Sequence, residues 1–439
     1  MHLPKGRNKN VRINSREMLQ EETPVIGTGE WPDKQCYDFK NVMAIGDIVL
    51  VREGQKAIAL CEIISDNYVD TALAEKFINI NYRKVKVLQW ETDYIQPPKR
   101  LFSQGALSQC VSPKTDQYHY IHQWHQLVMK TKEIQKIANL LKKKKNIILQ
   151  GAPGTGKTYA TAELALRLIG DTKSYPNHTA LMDAYEKMRE VGQIEFVTFH
   201  QSMDYEDFIE GLKPEITPND EVMYKVQDGL FKKICSKAHL AGHPINQDVK
   251  KYVLIIDEIN RGNVSKIFGE LITLLEADKR KPVGEKHTDE FHPLSVKLPY
   301  SKEEFSVPSN LYIIGTMNTT DRSVGNIDYA IRRRFAFVTL KSDVEVLKQY
   351  DYDNDTTRTI AMQLFDKVKK FLEQNKFDMD IDDLMVGHSY FCAKTLDDLQ
   401  MKWAYEIYPL LCEYYKDGIC KAKPNTEMSE FINANGDGE

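Results

Sequence analysis

The sequence predicts an α/β fold in which helices flank a parallel sheet, with a small β-rich, barrel-like domain before it and a helical block after it. Apolar strand candidates alternate with longer helical segments between about residues 120 and 340, as they do in parallel sheets covered on both faces. Short β-like runs precede this region, and residues 341–432 have helical spacing almost throughout.

Length and composition fit a protein of two or three domains with ordinary apolar cores. The chain has 439 residues, 42% of them hydrophobic, and a formal net charge of -4. Domains usually contain about 100–200 residues. We predict a β-rich domain over residues 1–95, a linker over 96–118, an α/β domain over 119–340, and a helical block with the C-terminal tail over 341–439. Because the chain is not basic overall, contact with a nucleic acid requires a local basic patch.

The cysteines and the N-terminal segment indicate a cytoplasmic protein. The seven cysteines are odd in number and none has C-x-x-C spacing, which argues against a disulfide framework and against a zinc site. The first 17 residues are basic and polar without an apolar region behind them, so we expect no signal peptide. No apolar stretch reaches about 18 residues, so we expect no membrane span.

Three short runs in the first domain have the composition of β-strands. They cover residues 47–52, 57–64 and 83–90, with turns at Gly46-Asp47 and Glu53-Gly54. Short strands at close spacing predict a small barrel or a curled sheet.

The α/β domain contains five apolar strand candidates, and a helical segment over residues 119–145 precedes the first of them. The candidates are Asn146–Gln150, Ile194–Phe199, Tyr252–Ile256, Leu311–Gly315 and Ala336–Leu340. The block after the sheet has helical segments over residues 344–350, 357–375 and 396–415.

A glycine-rich loop with the pattern G-x-x-x-x-G-K-[ST] follows the first strand candidate and opens a helix. Glycines let backbone N–H groups curl around a phosphate, and the helix N-terminus adds partial positive charge. We expect Lys157 to reach the β- and γ-phosphates of a nucleoside triphosphate and Thr158 to bind Mg²⁺. The loop consists of Gly151, Ala152, Pro153, Gly154, Thr155, Gly156, Lys157 and Thr158.

Two carboxylates follow the third strand candidate. Ligands of open α/β sheets bind at the carboxyl ends of the strands. We therefore predict that Asp257 holds the Mg²⁺, directly or through water. We predict that Glu258 polarises the attacking water as the general base.

Further polar residues follow the fourth strand candidate and precede the fifth. We expect Asn318 to touch the γ-phosphate or the attacking water, and Asp321 to orient that water or Asn318; the alternative is that both only cap a turn. Arg332 and Arg333 could reach the nucleotide of a neighbouring subunit as arginine fingers. Their alternative is a solvated surface patch.

Together these motifs resemble the AAA+ motor of the McrB family. The resemblance extends to the M-N-T-T-D-R-S element at residues 317–323 and to V-G-H-S-Y-F at residues 386–391, and it includes residues 198–214 and 256–271. It implies an AAA+ P-loop NTPase fold with a helical lid, a hexameric ring, and GTP as the nucleotide. It also places Asn318 and Asp321 in the family's signature for positioning the catalytic water.

The same resemblance implies a partner nuclease subunit of the McrC type, and no nuclease constellation is evident in this chain. The chain would be the GTP-hydrolysing motor and DNA-recognition subunit of a restriction system that acts on modified double-stranded DNA and defends against phage. The sequence does not indicate which residues would select GTP over ATP, so ATP stays open. The alternative is an ATP-driven remodelling chaperone resembling the MoxR branch. A nucleotide-gated scaffold without hydrolysis is a third hypothesis, against which the intact Glu258 argues.

The N-terminal domain, through residues 43–51, resembles a small barrel of the PUA or EVE type, which can hold a flipped, modified base in an aromatic pocket. The alternative for its aromatic residues is a place in the core. Three histidines are spaced along the next helix, and for them we favour a solvated or packing role at the domain junction over metal binding. The run Lys142–Lys145 could touch DNA or form a solvated helix end. Candidate stacking residues are Trp31, Tyr37, Tyr68 and Trp90, candidate phosphate contacts are Arg52, Arg83, Lys84 and Lys86, and the histidines are His119, His122 and His125.

Overall fold

A computed structural model describes residues 15–30, 32–77, 79–91, 107–110, 112, 115–171, 173, 175, 178–216, 220, 222–241, 249–284, 292–321, 327–424 and 430–432. The chain forms two compact units, Met1–Glu133 with Lys173–Pro176 and Ile134–Thr172 with Asn177–Glu439. The division falls inside one long helix, α4 (Asp116–Lys144).

A five-stranded antiparallel sheet is the basis of the N-terminal unit. Its strands are β1 (Val25–Thr28), β2 (Ile48–Glu53), β3 (Lys56–Ile63), β4 (Tyr68–Val69) and β5 (Asn81–Trp90). They pair in the order β1-β5-β3-β2, and β4 adds to β5. The three predicted strands are confirmed as β2, β3 and β5. The sequence did not predict β1 and β4, which are too short to show a periodic pattern.

Short helical segments complete this unit. They are α1 (Ser15–Leu19), α2 (Lys34–Tyr37), a π-helical turn (Asp38–Val42) and α3 (Thr71–Phe77). The first turns of α4 also belong here, because Tyr120, Trp124 and Val128 recur at helical spacing and pack with Leu50 and Leu60 of the sheet. The Trp124 indole Nε1 donates to Gln89 Oε1 at 2.8 Å, so the one polar atom of this fully buried ring is satisfied.

Two of the predicted phosphate contacts, Arg52 and Arg83, are buried. Arg52 is 6% exposed, and its guanidinium donates to the Gly54 carbonyl at 2.5 Å. Arg83 is 2% exposed, and its guanidinium donates to the carbonyl oxygens of Phe39, Ser65 and Lys40 at 2.8, 3.0 and 3.1 Å. The prediction for Arg83 is wrong, because its donors hold loops to the sheet and face no solvent. Lys84 and Lys86 are exposed on the same strand.

The predicted stacking residues do not gather in one place. Tyr37 is 62% exposed, and Tyr68 packs against Tyr82 with ring centroids 6.2 Å apart. Trp90 is half-buried with the Arg16 guanidinium 5.4 Å from its ring centroid. Trp31 lies outside the described residues.

The second unit is built on a five-stranded sheet in which every pairing is parallel. Its strands are β6 (Asn146–Gly151), β7 (Ile194–Thr198), β10 (Tyr252–Asp257), β13 (Leu311–Asn318) and β14 (Ala336–Thr339). They run in the order β14-β6-β13-β10-β7. All five predicted strands are confirmed, and the order places β6 beside β13 and β13 beside β10.

Helices cover this sheet, and its core contains a cluster of phenylalanines. Phe208, Phe231 and Phe268 are fully buried, with ring centroids 5.1–5.4 Å apart. The helices are α5 (Lys157–Ile169), α6 (His178–Glu190), α7 (Tyr205–Phe208), α8 (Leu230–Leu240), α9 (Val264–Phe268) and α10 (Tyr329–Arg334). A hairpin of β8 (Glu210–Ile216) and β9 (Val222–Asp228) interrupts the predicted alternation of strands and helices. Two short strands, β11 (Val296–Lys297) and β12 (Glu304–Phe305), form a second hairpin.

The helical block predicted after the sheet is confirmed. Its helices are α11 (Val344–Gln349), α12 (Asp355–Asn375), α13 (Ile381–Leu384), α14 (Leu396–Lys402) and α15 (Tyr408–Lys416). A π-helical turn over Trp403–Ile407 joins α14 to α15, so the predicted helix over 396–415 is nearly continuous. These helices have their own apolar core, and we call the block the lid.

The lysine run at the end of α4 has two environments. Lys142, Lys143 and Lys144 are exposed, as expected of a solvated helix end, whereas Lys145 is 8% exposed. The Lys145 ammonium donates to the Ser309 carbonyl at 2.8 Å, so this residue is structural. No helix among the described residues has the length and apolar character needed to cross a membrane.

Candidate active site

The glycine-rich loop lies at the carboxyl edge of the parallel sheet. Strand β6 leads into it at Gly151, which is the register partner of Asn318 on β13. Gly154 and Gly156 have φ angles of +79° and +82°, which favour glycine. Helix α5 starts directly after Gly156, and no side chain caps the N-terminus of the helix. The first N–H groups of the helix are therefore available to an anion.

The lid contacts this loop directly. The Gly387 N–H donates to the Pro153 carbonyl at 2.9 Å, and the Ser389 N–H donates to the Gly154 carbonyl at 3.2 Å. A Cβ atom on Gly387 would lie 1.9 Å from the carbonyl carbon of Gly154, so this backbone approach requires glycine. The V-G-H-S-Y-F element that carries the family resemblance is thus the part of the lid that contacts the loop.

Burial is the largest influence on the pKa of Lys157. Its ammonium donates to the carbonyls of Gly151 and Ala152 at 3.0 and 2.9 Å. Burial lowers its pKa to about 8, and the carboxylates of Glu258 and Asp257 oppose that shift. A partly buried cation held among carbonyls is suited to pair with phosphate oxygens.

The two carboxylates at the end of β10 are held by the neighbouring strand. The Thr316 hydroxyl of β13 donates to Asp257 Oδ1 at 2.6 Å, and the backbone N–H of Glu258 donates to the same hydroxyl at 3.1 Å. Thr316 therefore fixes both the side chain of Asp257 and the backbone of Glu258. The oxygen donors of Thr158 and Asp257 fit Mg²⁺, which is bound by one or two protein oxygens together with phosphates and water.

The side chain of Glu258 is held from two sides. The Asn318 amide Nδ2 donates to Glu258 Oε1 at 2.7 Å. Arg261 Nε lies 3.3 Å from Glu258 Oε2, and Arg261 Nη2 lies 3.4 Å from Asp321 Oδ2. Three of the residues predicted as catalytic, Glu258, Asn318 and Asp321, are thus brought together, and Arg261 links the carboxylates of Glu258 and Asp321.

Glu258 also has strained backbone. Its φ of 51° and ψ of 47° lie in the left-handed region, which costs a non-glycine residue free energy. Its Oε2 atom is buried and receives no hydrogen bond from the described residues; the contact with Arg261 is an ion pair. Strain and an under-satisfied carboxylate oxygen are typical of functional positions.

The three consecutive arginines after Asp328 have different environments. Arg334 is buried, and its Nη2 lies 2.9 Å from Glu276 Oε1. Arg333 is exposed over 70% of its side chain and pairs with the same carboxylate at 2.6 Å. Arg332 is exposed, with its guanidinium 5.0 Å from the Phe337 ring centroid. Of the three, only Arg332 and Arg333 are accessible to a neighbouring subunit, and a role there stays a prediction.

No sequence motif indicates the roles of Arg261 and Thr316. Arg261 lies three residues after Glu258 in a 3₁₀ turn (Ile259–Arg261), a spacing that places both side chains on one side. That spacing was visible in the sequence, but the turn was not. Thr316 looked like an ordinary strand residue, and its role depends on the register between β10 and β13.

Comparison with known proteins gives family matches over the nucleotide-binding domain and the lid. Residues 146–335 match the family described as AAA domain (dynein-related subfamily), and residues 362–423 match the family described as McrB, alpha-helical lid domain. The fold and the site define an AAA P-loop NTPase. Its lid is similar to the McrB lid domain.

Two curated relatives are similar to the chain. It is 35% identical over 333 residues to the type IV methyl-directed restriction enzyme EcoKMcrB subunit of Escherichia coli K12, covering 73% of this chain and 64% of that protein. It is 27% identical over 211 residues to the type II restriction enzyme BsuMI component YdiS of Bacillus subtilis 168, covering 45% of this chain and 57% of that protein. The chain thus spans less than two thirds of either relative.

A solved structure of a putative ATPase from Cytophaga hutchinsonii aligns at 12% identity with a TM-score of 0.27, covering 73% of this chain and 74% of that chain.

Replacing Arg261 by alanine is expected to reduce kcat by about 100-fold, the order of loss that a misplaced catalytic group produces. The variant removes the cation between Glu258 and Asp321. KM should change little, because among the described residues the ion pairs of Arg261 are with Glu258 and Asp321 and not with the phosphate loop. Steady-state nucleotide hydrolysis over a range of substrate concentrations separates the two constants.

Arg189→Ala is the matched control, because Arg189 forms an i,i+3 ion pair with Glu186 on α6. Arg261→Lys should restore part of the lost rate. A higher kcat in Arg261→Ala would show instead that Arg261 restrains Glu258, and an unchanged kcat would remove its positioning role.

Proposed function

We propose that this chain is the GTP-hydrolysing motor and DNA-recognition subunit of a McrBC-like, modification-dependent restriction system that acts with a separate nuclease subunit. The single observation that carries the hydrolytic part is the contact of Asn318 with Glu258 at the carboxyl edge of the sheet, beside the phosphate loop. It brings a general base and a polar side chain to the strand ends where a γ-phosphate would lie.

The roles of the residues follow from their positions. Lys157 and the N–H groups at the start of α5 bind the β- and γ-phosphates, and Thr158 and Asp257 hold Mg²⁺. When bound, Mg²⁺ offsets the negative charge on the phosphate oxygens. Glu258 accepts a proton from the attacking water, and Asn318 holds the Glu258 carboxylate by one of its oxygens.

Arg332 and Arg333 complete the site of a neighbouring copy in a homo-oligomeric ring, for which a hexamer is expected from the family resemblance. Arg333 is exposed at its guanidinium and is held by Glu276 within its own subunit. To act as an arginine finger, Arg333 must leave the Glu276 carboxylate and pair with the phosphate bound in the neighbouring subunit. Such a residue offsets charge in the transition state of phosphoryl transfer.

The restriction context is supported by the relatives. One is described as a subunit of a methyl-directed restriction enzyme and the other as a component of a restriction enzyme. The match of the lid to the McrB lid domain favours this context over a MoxR-like chaperone. We assign recognition of modified double-stranded DNA to the N-terminal unit and DNA cleavage to a McrC-like partner nuclease.

Purified protein is expected to hydrolyse GTP with a higher kcat/KM than ATP, because the family resemblance implies guanine selection. Phosphate release should be measured with both nucleotides at equal Mg²⁺, with Glu258→Gln as the inactive control. A strong preference for ATP would remove the McrB-specific part of the proposal and favour the remodelling chaperone. Absence of hydrolysis of both nucleotides by the wild type would favour the third hypothesis, a nucleotide-gated scaffold without hydrolysis.

Mixing two inactive variants is expected to restore hydrolysis if the arginines act between subunits. Arg333→Ala and Glu258→Gln should each reduce kcat by about 10³-fold or more. In a mixed ring, an Arg333→Ala subunit with an intact Glu258 can receive Arg333 from its Glu258→Gln neighbour. Recovered activity at equal ratios supports action across the interface.

Additive residual rates in the mixture would place Arg333 in its own subunit's site. Arg332→Ala mixed with Glu258→Gln tests the second arginine in the same way. Size-exclusion chromatography of each variant with Mg²⁺ and nucleotide checks that assembly is retained.

A further inference from the structure

Four consecutive residues at the carboxyl end of β13 contact two different parts of the molecule. We call them the 318–321 segment. The side chain of its first residue donates to Glu258, and the carboxylate of its last residue lies 3.4 Å from Arg261 Nη2. The two residues between them, Thr319 and Thr320, are each hydrogen-bonded to the lid. The segment therefore joins the lid to the side chains around the Glu258 carboxylate.

Thr319 is bonded both to the lid and to the phosphate loop. Its hydroxyl donates to the backbone carbonyl of Asp383 on α13, and its N–H donates to the Gly151 carbonyl at 3.2 Å. The Asp383 carboxylate also accepts the Thr339 hydroxyl of β14 at 3.4 Å. Helix α13 of the lid is thus fixed to the carboxyl ends of β13 and β14.

The contact of Thr320 with the lid is one buried hydrogen bond. The hydroxyl of Tyr414 on α15 donates to Thr320 Oγ1 at 3.3 Å. Tyr414 is 2% exposed within the apolar core of the lid, and Thr320 is 5% exposed. Burial raises the pKa of Tyr414, so its hydroxyl stays protonated and can donate. A buried hydroxyl without a partner costs free energy, so this contact favours one position of Thr320 relative to the lid.

The position of Thr320 bears on the residues on either side of it. Strand β13 ends at Asn318, so Thr320 and Asp321 lie beyond the strand pairing that fixes the rest of β13. A trans peptide holds consecutive Cα atoms about 3.8 Å apart, so a displacement of Thr320 moves its neighbours with it. A misplacement of about 1 Å in a catalytic group can reduce a rate by about 100-fold.

We propose that Tyr414 is a positioning residue for nucleotide hydrolysis and that it acts through Thr320. Its hydroxyl holds the 318–321 segment against the lid, and the segment holds its own first and last side chains in the geometry in which Glu258 activates water. In this role Tyr414 acts without contact with the nucleotide. The inference rests on the hydrolytic part of the proposed function and assigns to the lid a share in the chemical step.

Tyr414→Phe removes only the hydroxyl and is expected to reduce kcat by about tenfold with little change in KM, because the groups around the water are misplaced while the phosphate loop is intact. Steady-state hydrolysis of GTP and of ATP by the full chain separates the two constants. The affinity for a non-hydrolysable analogue, measured by calorimetry, should stay close to that of the wild type.

Tyr352→Phe is the matched control. Tyr352 is another buried tyrosine of the lid core, 6% exposed, and its hydroxyl donates to the Phe391 carbonyl at 3.1 Å within the lid. This variant loses a hydrogen bond of the same kind without a change at the 318–321 segment, so its kcat should stay near that of the wild type. Equal reductions of kcat in the two variants would show a general effect of lid destabilisation and overturn the assignment.

A double-variant cycle tests whether Tyr414 acts through Thr320. Thr320→Val should reduce kcat as Tyr414→Phe does, and Thr320→Ser, which keeps a hydroxyl, should recover most of that loss. The double variant Tyr414→Phe/Thr320→Val should be no slower than the single variants, because both changes remove the same contact. Reductions that multiply to about 100-fold would show two independent effects and overturn the inference.

Thermal unfolding of each variant checks the fold. If Tyr414→Phe is unfolded at the assay temperature, the comparison of Thr320→Val with Thr320→Ser still decides whether the hydroxyl contact sets kcat. An unchanged kcat in Tyr414→Phe, with an active wild type, overturns the inference alone and leaves the proposed hydrolysis intact. A wild type that hydrolyses neither nucleotide overturns the hydrolytic part of the proposed function, and the inference fails with it.

Discussion

The register between three parallel strands is the constraint on which the site depends. Asn318 of β13 is paired with Gly151 of β6, and Gly315 of β13 is paired with Ile256 of β10. These pairings place the phosphate loop, the Asp257–Glu258 pair and Asn318 at one edge of the sheet. A shift of one residue in β13 would turn Thr316 and Asn318 to the opposite face. Buried apolar residues along all three strands prevent that shift.

The lid adds a second constraint, because it touches the backbone that would surround the phosphates. Two N–H groups of the lid bond to carbonyls of the loop, and Gly387 and Gly154 approach each other too closely for a side chain. The loop and the lid are therefore in direct backbone contact. Movement of a lid is one way in which nucleotide hydrolysis can be coupled to a conformational change.

The sequence predicted the elements better than the contacts. The five strands of the parallel sheet and the helices of the lid follow from apolar periodicity, and the loop and Asp257–Glu258 follow from motifs with a known chemical role. The roles of Arg261 and Thr316 and the contact of Tyr414 with Thr320 depend on tertiary placement, which periodicity does not encode. Arg83 was predicted to contact phosphates because it is a cation on a strand. The structure buries it among carbonyls, since its strand faces the core at that position.

The most direct test of the account is equilibrium binding of a non-hydrolysable GTP analogue and of its ATP counterpart, titrated by calorimetry with and without Mg²⁺. The account predicts saturable, Mg²⁺-dependent binding of at least one analogue to the wild type, and a loss of affinity of about tenfold to 100-fold in Lys157→Ala, because a charged contact with the phosphates is removed. Absence of binding of both analogues to the wild type in the presence of Mg²⁺, or equal binding by Lys157→Ala, would contradict it.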